Sequence, residues 1–148
     1  MRTYLTSSAD ETRALGRSLG RAARAGTQVW LCGDLGAGKT VFSKGVGDGL
    51  DVRTTVTSPT YVLVALHEGG RLPLAHADLY RLGDGSELDH LGLDEALQDG
   101  VVLVEWADRF ASDLAGDHLE VHLEFTESGR QIRLVATGPL HQHLEQLE

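Results

Sequence analysis

The sequence predicts an α/β fold of the P-loop NTPase type, in which a mixed sheet carries flanking helices and antiparallel hairpin additions. Three observations lead to this class. An apolar strand at residues 29–32 runs directly into a glycine-rich loop and a helix. A second apolar run, at residues 101–104, is typical of a buried parallel strand. Residues 118–125 alternate strictly between polar and apolar, as in a half-exposed hairpin strand.

Size and composition set the broad class of protein. The chain has 148 residues, of which 41% are hydrophobic, so we expect one P-loop domain over residues 1–148. No apolar run approaches the roughly 20 residues that span a bilayer. Because the first residues lack the pattern of a secretory signal and Cys32 is the lone cysteine, a cytoplasmic protein without membrane association is expected.

Charge is distributed unevenly along the chain. Residues 1–50 contain seven Lys and Arg and four Asp and Glu, whereas residues 51–148 contain six Lys and Arg and eighteen Asp and Glu. The formal net charge of the whole chain is −9. A broad nucleic-acid-binding surface is therefore not expected, and the first third is the part suited to phosphate. The sequence has no asparagine, which excludes an Asn-Lys-x-Asp guanine reader and a protein-kinase catalytic loop.

The helices follow from capping signals and apolar spacing. A capping box at residues 8–11 and leucines at helical spacing predict a helix over about 9–24. Arginines at positions 13, 17, 21 and 24 form another face, which we interpret as solvated, with an acidic partner or RNA as the alternative. A second helix is predicted over about 39–47, ending in the cluster Gly45, Gly47 and Gly49.

The rest of the chain is mainly strands and turns, apart from an irregular helix predicted at residues 86–98. Hairpin turns are expected at residues 68–71 and 127–130. Strands are expected at residues 54–57, 60–67, 72–78, 101–104, 118–125 and 131–136.

The glycine-rich loop matches the phosphate-binding pattern G-x-x-x-x-G-K-[ST]. Its residues are Gly33, Asp34, Leu35, Gly36, Ala37, Gly38, Lys39 and Thr40. Glycines allow backbone N–H groups to turn inward around phosphates, and the following helix N-terminus adds positive potential. Lys39 is expected on the β and γ phosphates and the Thr40 hydroxyl on Mg²⁺, so the loop predicts nucleotide binding.

A P-loop also needs an acidic group to hold or orient the metal, usually at the end of another buried strand. Glu105 ends the apolar run 101–104, and Asp78 ends a less apolar strand. Either carboxylate taken alone is more simply a solvated strand end or a helix cap. Beside the P-loop both become candidate functional groups, with their division of labour open. The adjacent Trp106 is, by its chemistry alone, a packing aromatic.

Four segments together resemble the TsaE (YjeE) family, the small ATPases required for threonylcarbamoyladenosine modification of bacterial tRNA. The segments read Gly-Asp-Leu-Gly-Ala-Gly-Lys-Thr at 33–40, Ser-Pro-Thr-Tyr at 58–61, His-Ala-Asp-Leu-Tyr-Arg-Leu at 76–82 and Glu-Trp at 105–106. Many NTPases share the first segment, whereas the third and fourth together are specific to this family. Ala107 departs from the proline that often follows the tryptophan.

The resemblance implies an ATP- and Mg²⁺-dependent ATPase that assists TsaB and TsaD as they transfer a threonylcarbamoyl group to the adenosine beside the anticodon, with tRNA contacted through the complex. It implies catalytic roles for Lys39, Asp78 and Glu105, with Thr40 and Glu105 on Mg²⁺. It also implies that Arg130, in the turn before the last strand, contributes to nucleotide binding. The resemblance further implies a role in switching or partner coupling for seven residues: Ser58, Pro59, Thr60, His76, Tyr80, Arg81 and Trp106.

Two other functions remain open from the residues. In a P-loop kinase of a nucleotide or small metabolite, Asp78 would be the base that activates an acceptor hydroxyl. A nucleotide-sensing module would keep the P-loop but need neither carboxylate for chemistry. The products distinguish the three, since they are free phosphate, a phosphorylated acceptor or intact ATP.

Overall fold

The computed structural model describes residues 1–34, 36–54, 56, 63–114 and 116–147. Within these residues the strands are β1 (Arg2–Thr6), β2 (Thr27–Gly33), β3 (Val64–His67), β4 (Leu74–Asp78), β5 (Val101–Glu105), β6 (His118–Thr126) and β7 (Gly129–Thr137). The α-helices are α1 (Ala9–Ala22), α2 (Lys39–Leu50) and α3 (Leu93–Asp99). Short 3₁₀ helices cover Gly85–His90, Ala107–Phe110 and Pro139–Glu145.

All seven of these strands belong to one sheet, in the order β1-β7-β6-β2-β5-β4-β3. The four central strands, β6, β2, β5 and β4, run parallel to one another. Strands β3, β7 and β1 are added antiparallel at the two sides. The mixed sheet with antiparallel hairpin additions is therefore confirmed.

Apolar side chains cover both faces of the central strands. On one face, α1 and α2 contribute Leu19, Phe42 and Val46 to a core that includes Leu31 and Leu103. The other face has its own core, made by the next residues along the same strands together with α3 and the first two 3₁₀ helices. The runs 29–32 and 101–104 are apolar without alternation because each strand is buried on both faces.

Helices α1 and α2 approach each other through glycines. A side chain at Gly16 would meet the Phe42 carbonyl, and one at Gly45 would meet the Arg13 carbonyl. The end of α2 predicted at about residue 47, in the cluster Gly45, Gly47 and Gly49, is about three residues too early. The helix continues to Leu50, because close packing against α1 outweighs the low helix propensity of glycine.

The arginine face of α1 is partly occupied within the molecule. The guanidinium of Arg13 donates to both carboxylate oxygens of Asp48 on α2, at 2.6 and 3.1 Å, and Arg17 lies 3.8 Å from the same carboxylate. These arginines therefore fasten α1 to α2.

Other differences from the predicted elements lie at the edges of the sheet. Strand β1 was not predicted, because Leu5 points outward and only the pairing with β7 defines the strand. Of the strand expected at 54–57 the structure describes Thr54 and Val56, and neither lies in a strand. The irregular helix expected at 86–98 is confirmed as the first 3₁₀ helix followed by α3.

Candidate functional site

The candidate site lies where the parallel strands end. The loop after β2 leads into α2, while Asp78 and Glu105 are the last residues of β4 and β5. In the register of the sheet Glu105 pairs with Asp78 on one side and with Leu31 on the other. Parallel strands place their carboxyl ends at one edge, so the loop and both carboxylates meet there.

The loop has the backbone of a phosphate cradle. Gly36 has φ 84° and Gly38 has φ 106°, in the left-handed region that favours glycine. A side chain at Gly33 would come within 2.6 Å of the Leu123 carbonyl oxygen, so β6 leaves space only for glycine there. Lys39 is the first residue of α2 and the side chain of Thr40 is exposed in its first turn. Leu35 lies outside the described residues.

Three side chains form a buried chain of contacts below the loop. Nε2 of His76 donates to Oε2 of Glu105 at 2.8 Å, because a carboxylate only accepts. Oε1 of Glu105 lies 3.8 Å from Nζ of Lys39, longer than a hydrogen bond. His76 is fully buried and the other two side chains are nearly so. His76 therefore holds one carboxylate oxygen, while the other faces the P-loop lysine.

The second carboxylate, Asp78, takes part in a turn. Its Oδ1 accepts a hydrogen bond from the backbone N–H of Tyr80 at 3.0 Å, and its own N–H donates to the Leu63 carbonyl. The residue is buried beside the end of β5. Asp78 thus shapes the turn after β4 and lies beside Glu105 in the strand register.

Exposed aromatic residues lie beside the lysine. Trp106 follows β5 with φ 63°, a left-handed conformation that a bulky residue rarely adopts. Its ring lies 4.9 Å from the ring of Tyr80, and Nζ of Lys39 lies 5.5 Å from its centre. Trp106 and Tyr80 remain 42% and 57% exposed. Arg81, next to them, is also exposed.

The turn that carries Tyr80 and Arg81 is fixed by an arginine that the sequence analysis did not assign to the site. Arg109 donates to the carbonyl of Tyr80 at 2.6 Å and to that of Leu82 at 3.2 Å. A bidentate grip of this kind leaves the guanidinium little freedom to reach elsewhere. No local sequence motif predicts this role of Arg109, because its partners are backbone carbonyls distant in sequence.

Arg130 reaches the loop from the β6–β7 hairpin. Its guanidinium donates to the Gly36 carbonyl at 3.3 Å and lies 4.2 Å from the ring centre of Phe125. A cavity of about 310 Å³ adjoins it. The cavity is lined by Ser7, Ser8, Ala9, Thr12, Gly36, Gly38, Val41, Gly129 and Arg130. The residues from the start of α1 were missed from sequence, since nothing local links them to the loop.

Two further results limit what the site contains. Ser58, Pro59 and Thr60, the segment expected to switch, lie outside the described residues. Within the described ranges, no cluster of three or more His, Cys, Asp or Glu side chains is arranged to hold a metal ion.

Comparison with known proteins identifies the family. A family model described as "Threonylcarbamoyl adenosine biosynthesis protein TsaE" matches residues 6–132. The chain belongs to the TsaE family. The resemblance seen in the four sequence segments is thereby confirmed.

Several TsaE relatives match most of the chain. A protein from Streptomyces coelicolor, named tRNA threonylcarbamoyladenosine biosynthesis protein TsaE, is 45% identical over 115 residues, covering 76% of this chain and 78% of that protein. A protein of the same name from Bacillus subtilis is 38% identical over 143 residues, covering 95% and 89%. The crystal structure of B. subtilis YdiB matches with a TM-score of 0.82 and 33% identity, covering 96% of this chain and 89% of that one.

Among the described residues, none of the helices combines the length and the apolar character needed to cross a bilayer.

Proposed function

We propose that this TsaE protein binds and hydrolyses ATP, and that it acts as an accessory to TsaB and TsaD in threonylcarbamoyl transfer to the tRNA adenosine beside the anticodon. The observation that carries the proposal is the meeting of Lys39, at the start of α2, with Glu105, at the end of the neighbouring strand. Residues 1–148 then act as one P-loop ATPase domain in the cytoplasm.

The nucleotide is bound in two parts. Backbone N–H groups of the loop and the Lys39 ammonium bind the phosphates, since the loop leads into the start of α2, where the helix adds positive potential. The cavity between Ser8 and Arg130 opens beside Gly36 and Gly38. It offers apolar surface and hydroxyl groups next to the phosphate loop, so we assign it to the nucleoside.

The residues present fit Mg²⁺. Thr40 offers an exposed hydroxyl, and Oε1 of Glu105 is not tied to its nearest cation, which lies 3.8 Å away. Hard oxygen donors suit Mg²⁺, which keeps several waters and takes few protein ligands beside substrate phosphates. When bound, the ion supplies neutralisation of charge that develops on the phosphate oxygens.

The two carboxylates then have different roles. Glu105 is kept in place by His76 and serves the metal, whereas Asp78 orients the attacking water or the metal's shell from the adjacent strand. In a kinase Asp78 would instead accept a proton from an acceptor hydroxyl. ATP hydrolysis is favoured because the chain belongs to the TsaE family, and the resemblance to that family implies an ATPase.

The exposed residues beside Lys39 supply the connection to the partners. Tyr80, Arg81 and Trp106 are exposed near Lys39, where the phosphates are expected. Ser58, Pro59 and Thr60, which lie outside the described residues, are assigned to the same coupling role from the sequence. A partner that binds these residues more tightly in one nucleotide state favours that state, which couples hydrolysis to assembly. The acidic second part of the chain fits indirect contact with tRNA.

The central test is ATP turnover by Lys39 variants. We expect Lys39→Ala to lower phosphate release about 100-fold or more, because a charged contact that tightens in the transition state is lost. Lys39→Arg should fail as well, since a planar guanidinium does not replace a point charge inside the loop.

Lys44→Ala is the matched control, since Lys44 is the other lysine in the chain and lies one turn further along α2. Near-normal turnover by Lys39→Ala, or an equal loss in Lys44→Ala, would contradict the assignment. A phosphorylated acceptor in place of free phosphate would favour the kinase.

A second experiment tests the accessory role. We expect slow phosphate release by the isolated protein and faster release once TsaB and TsaD are both added, because a P-loop alone does not complete the hydrolytic site. Lys39→Ala should abolish the increase and reduce multiple-turnover tRNA modification. Absence of any stimulation counts against coupling to these partners.

A further inference from the structure

Two buried histidines on neighbouring strands each have one ring nitrogen without a partner among the described residues. These atoms are Nε2 of His67 and Nδ1 of His76, and both rings are shielded from solvent. Buried polar atoms are nearly always hydrogen-bonded, to protein or to ordered water. The two atoms therefore call for a shared explanation if their rings face the same space.

The strand register places the two rings close together. Ala65 pairs with His76 and His67 pairs with Leu74, so His67 and His76 occupy diagonal positions on one face. Leu74 belongs to the core beneath α2, which identifies this as the α2 face. Diagonal neighbours across paired strands lie about 7–8 Å apart at Cα, within reach of ring side chains and of one water between them.

The other nitrogen of each ring is already occupied. Nδ1 of His67 lies 2.6 Å from the hydroxyl of Thr54, and Nε2 of His76 donates to Glu105 at 2.8 Å. Burial lowers the pKa of His67, and the proximity of His76 lowers it further. A neutral imidazole has one donor and one acceptor nitrogen, so a Thr54 hydroxyl that donates to Nδ1 leaves the proton of His67 on Nε2.

We propose that one buried water bridges Nε2 of His67 and Nδ1 of His76, and that His67 is thereby a positioning residue for Glu105. The path runs from Thr54 through His67, the water and His76 to Oε2 of Glu105. Each donor in it points toward the carboxylate, and two polar partners are the minimum of the two to four that buried waters have. That Glu105 serves hydrolysis rests on the proposed function, whereas the path itself does not.

The path fixes the orientation of Glu105 from behind. With Oε2 held through His76, Oε1 stays directed at Lys39, where the phosphates are expected. Thr54 connects the path to the edge of β3, because the preceding residue, Arg53, donates its N–H to the Glu68 carbonyl. Groups that orient a metal-binding carboxylate typically change activity 10–100-fold when they are removed.

The experiment uses the full chain and ¹⁵N NMR of the histidine rings, which distinguishes the two neutral tautomers. We expect His67 to carry its proton on Nε2 in the wild type. Thr54→Val, an isosteric change at an exposed residue, should alter the His67 ring signals and also shift Nδ1 of His76. Thr54→Ser keeps the hydroxyl and should leave the ring signals of His67 and His76 as in the wild type.

His67→Phe should shift the His76 signals directly, and His141→Phe is its control. His141 is another buried histidine whose Nδ1 has no partner in the part of the chain that the structure describes, but its Nε2 accepts from the Gln28 N–H, away from Glu105. If His67→Phe does not fold, the Thr54 pair decides. Loss of kcat of about 10-fold with little change in KM should accompany Thr54→Val and not Thr54→Ser.

The outcomes are distinct. Unchanged His76 signals in both Thr54→Val and His67→Phe, or a proton on Nδ1 of His67, would overturn the path even if ATP turnover is normal. Coupled ring signals in a protein that releases no phosphate would support the path and reject the proposed function. In a crystal structure, ordered water between the two nitrogens supports the bridge, and a protein atom in its place overturns it.

Discussion

Glu105 and Glu120 each accept hydrogen bonds from histidine and each have a tryptophan nearby, but they differ in how many of their carboxylate oxygens are hydrogen-bonded. Glu105 accepts a hydrogen bond from His76 at one oxygen, and Trp106 follows it in the chain. Glu120, the third residue of β6, accepts hydrogen bonds from His118 at 3.0 Å and His122 at 2.9 Å, one at each oxygen. The tryptophan near Glu120 is Trp30, whose ring stacks on the ring of His118 with 3.6 Å between the ring centres.

The difference shows that exposure alone does not mark a ligand-binding carboxylate. The Glu120 side chain is 29% exposed against 9% for Glu105, yet both of its oxygens are already bonded. Glu105 keeps one oxygen facing a lysine beyond hydrogen-bond distance, at the edge where the parallel strands end. The more buried carboxylate is therefore the one whose second oxygen is available, as the proposed metal site requires.

The largest expected effect separates the two glutamates directly. Glu105→Gln should lower ATP hydrolysis about 100-fold while ATP binding falls far less, because phosphate contacts come mainly from backbone N–H groups. Glu120→Gln should leave hydrolysis nearly unchanged. Phosphate release and calorimetry on both variants measure this. Equal losses of binding and hydrolysis in Glu105→Gln would indicate a folding defect instead, and similar losses in both variants would remove the distinction.

A smaller effect concerns the two tryptophans. Trp106 is exposed with its ring 5.5 Å from Nζ of Lys39, so nucleotide phosphates should change its surroundings and its fluorescence. Trp30 is 6% exposed and donates to Gln28, so its emission should not respond. We expect ATP analogue and ADP to give different emission in the wild type and in Trp30→Phe. A response that persists in Trp106→Phe would assign the signal to Trp30.

The smallest expected effect is on the thermal stability that Glu120 contributes through its hydrogen bonds with His118 and His122. Burial raises the pKa of the Glu120 carboxyl, but hydrogen bonds from His118 and His122 outweigh it, and the pKa lies below the ordinary 4.5. A lowered folded pKa stabilises the protein above 4.5, and this contribution is lost as the pH falls through the folded value. Glu120→Gln should therefore lower Tm by a few degrees at pH 7, with the difference from wild type shrinking in acid.

Glu124→Gln is the control for that measurement. Glu124 lies on the same strand and pairs with Arg133 at 3.3 Å, but more than half of its side chain is exposed. Exposed pairs contribute little, so its Tm should change little at any pH. A Glu120→Gln difference that does not depend on pH would assign the loss to packing.

Much of the site was predictable because its signals are local. Consecutive residues form the P-loop, and an apolar run placed Glu105 at the end of a buried strand. The contacts of Glu105 with His76 and Lys39 were not predictable, since those residues are 29 and 66 positions away in the chain. Arg109 and Ser8 were missed for the same reason, because one binds distant carbonyls and the other lines a cavity.

The sequence by itself determined the fold class, the phosphate loop and the two strand-end carboxylates, since apolar runs, glycine spacing and strand ends act within a few residues. Only the tertiary structure decided that Gly49 lies inside a helix, that Arg2–Thr6 forms a strand, and that Glu105 keeps an oxygen beyond hydrogen-bond distance of Lys39. These features depend on contacts between helices and strands that are distant in sequence. A helix that packs closely against another accepts glycine, and the hydrogen bond to Glu105 comes from His76 on the neighbouring strand, which sequence order does not reveal.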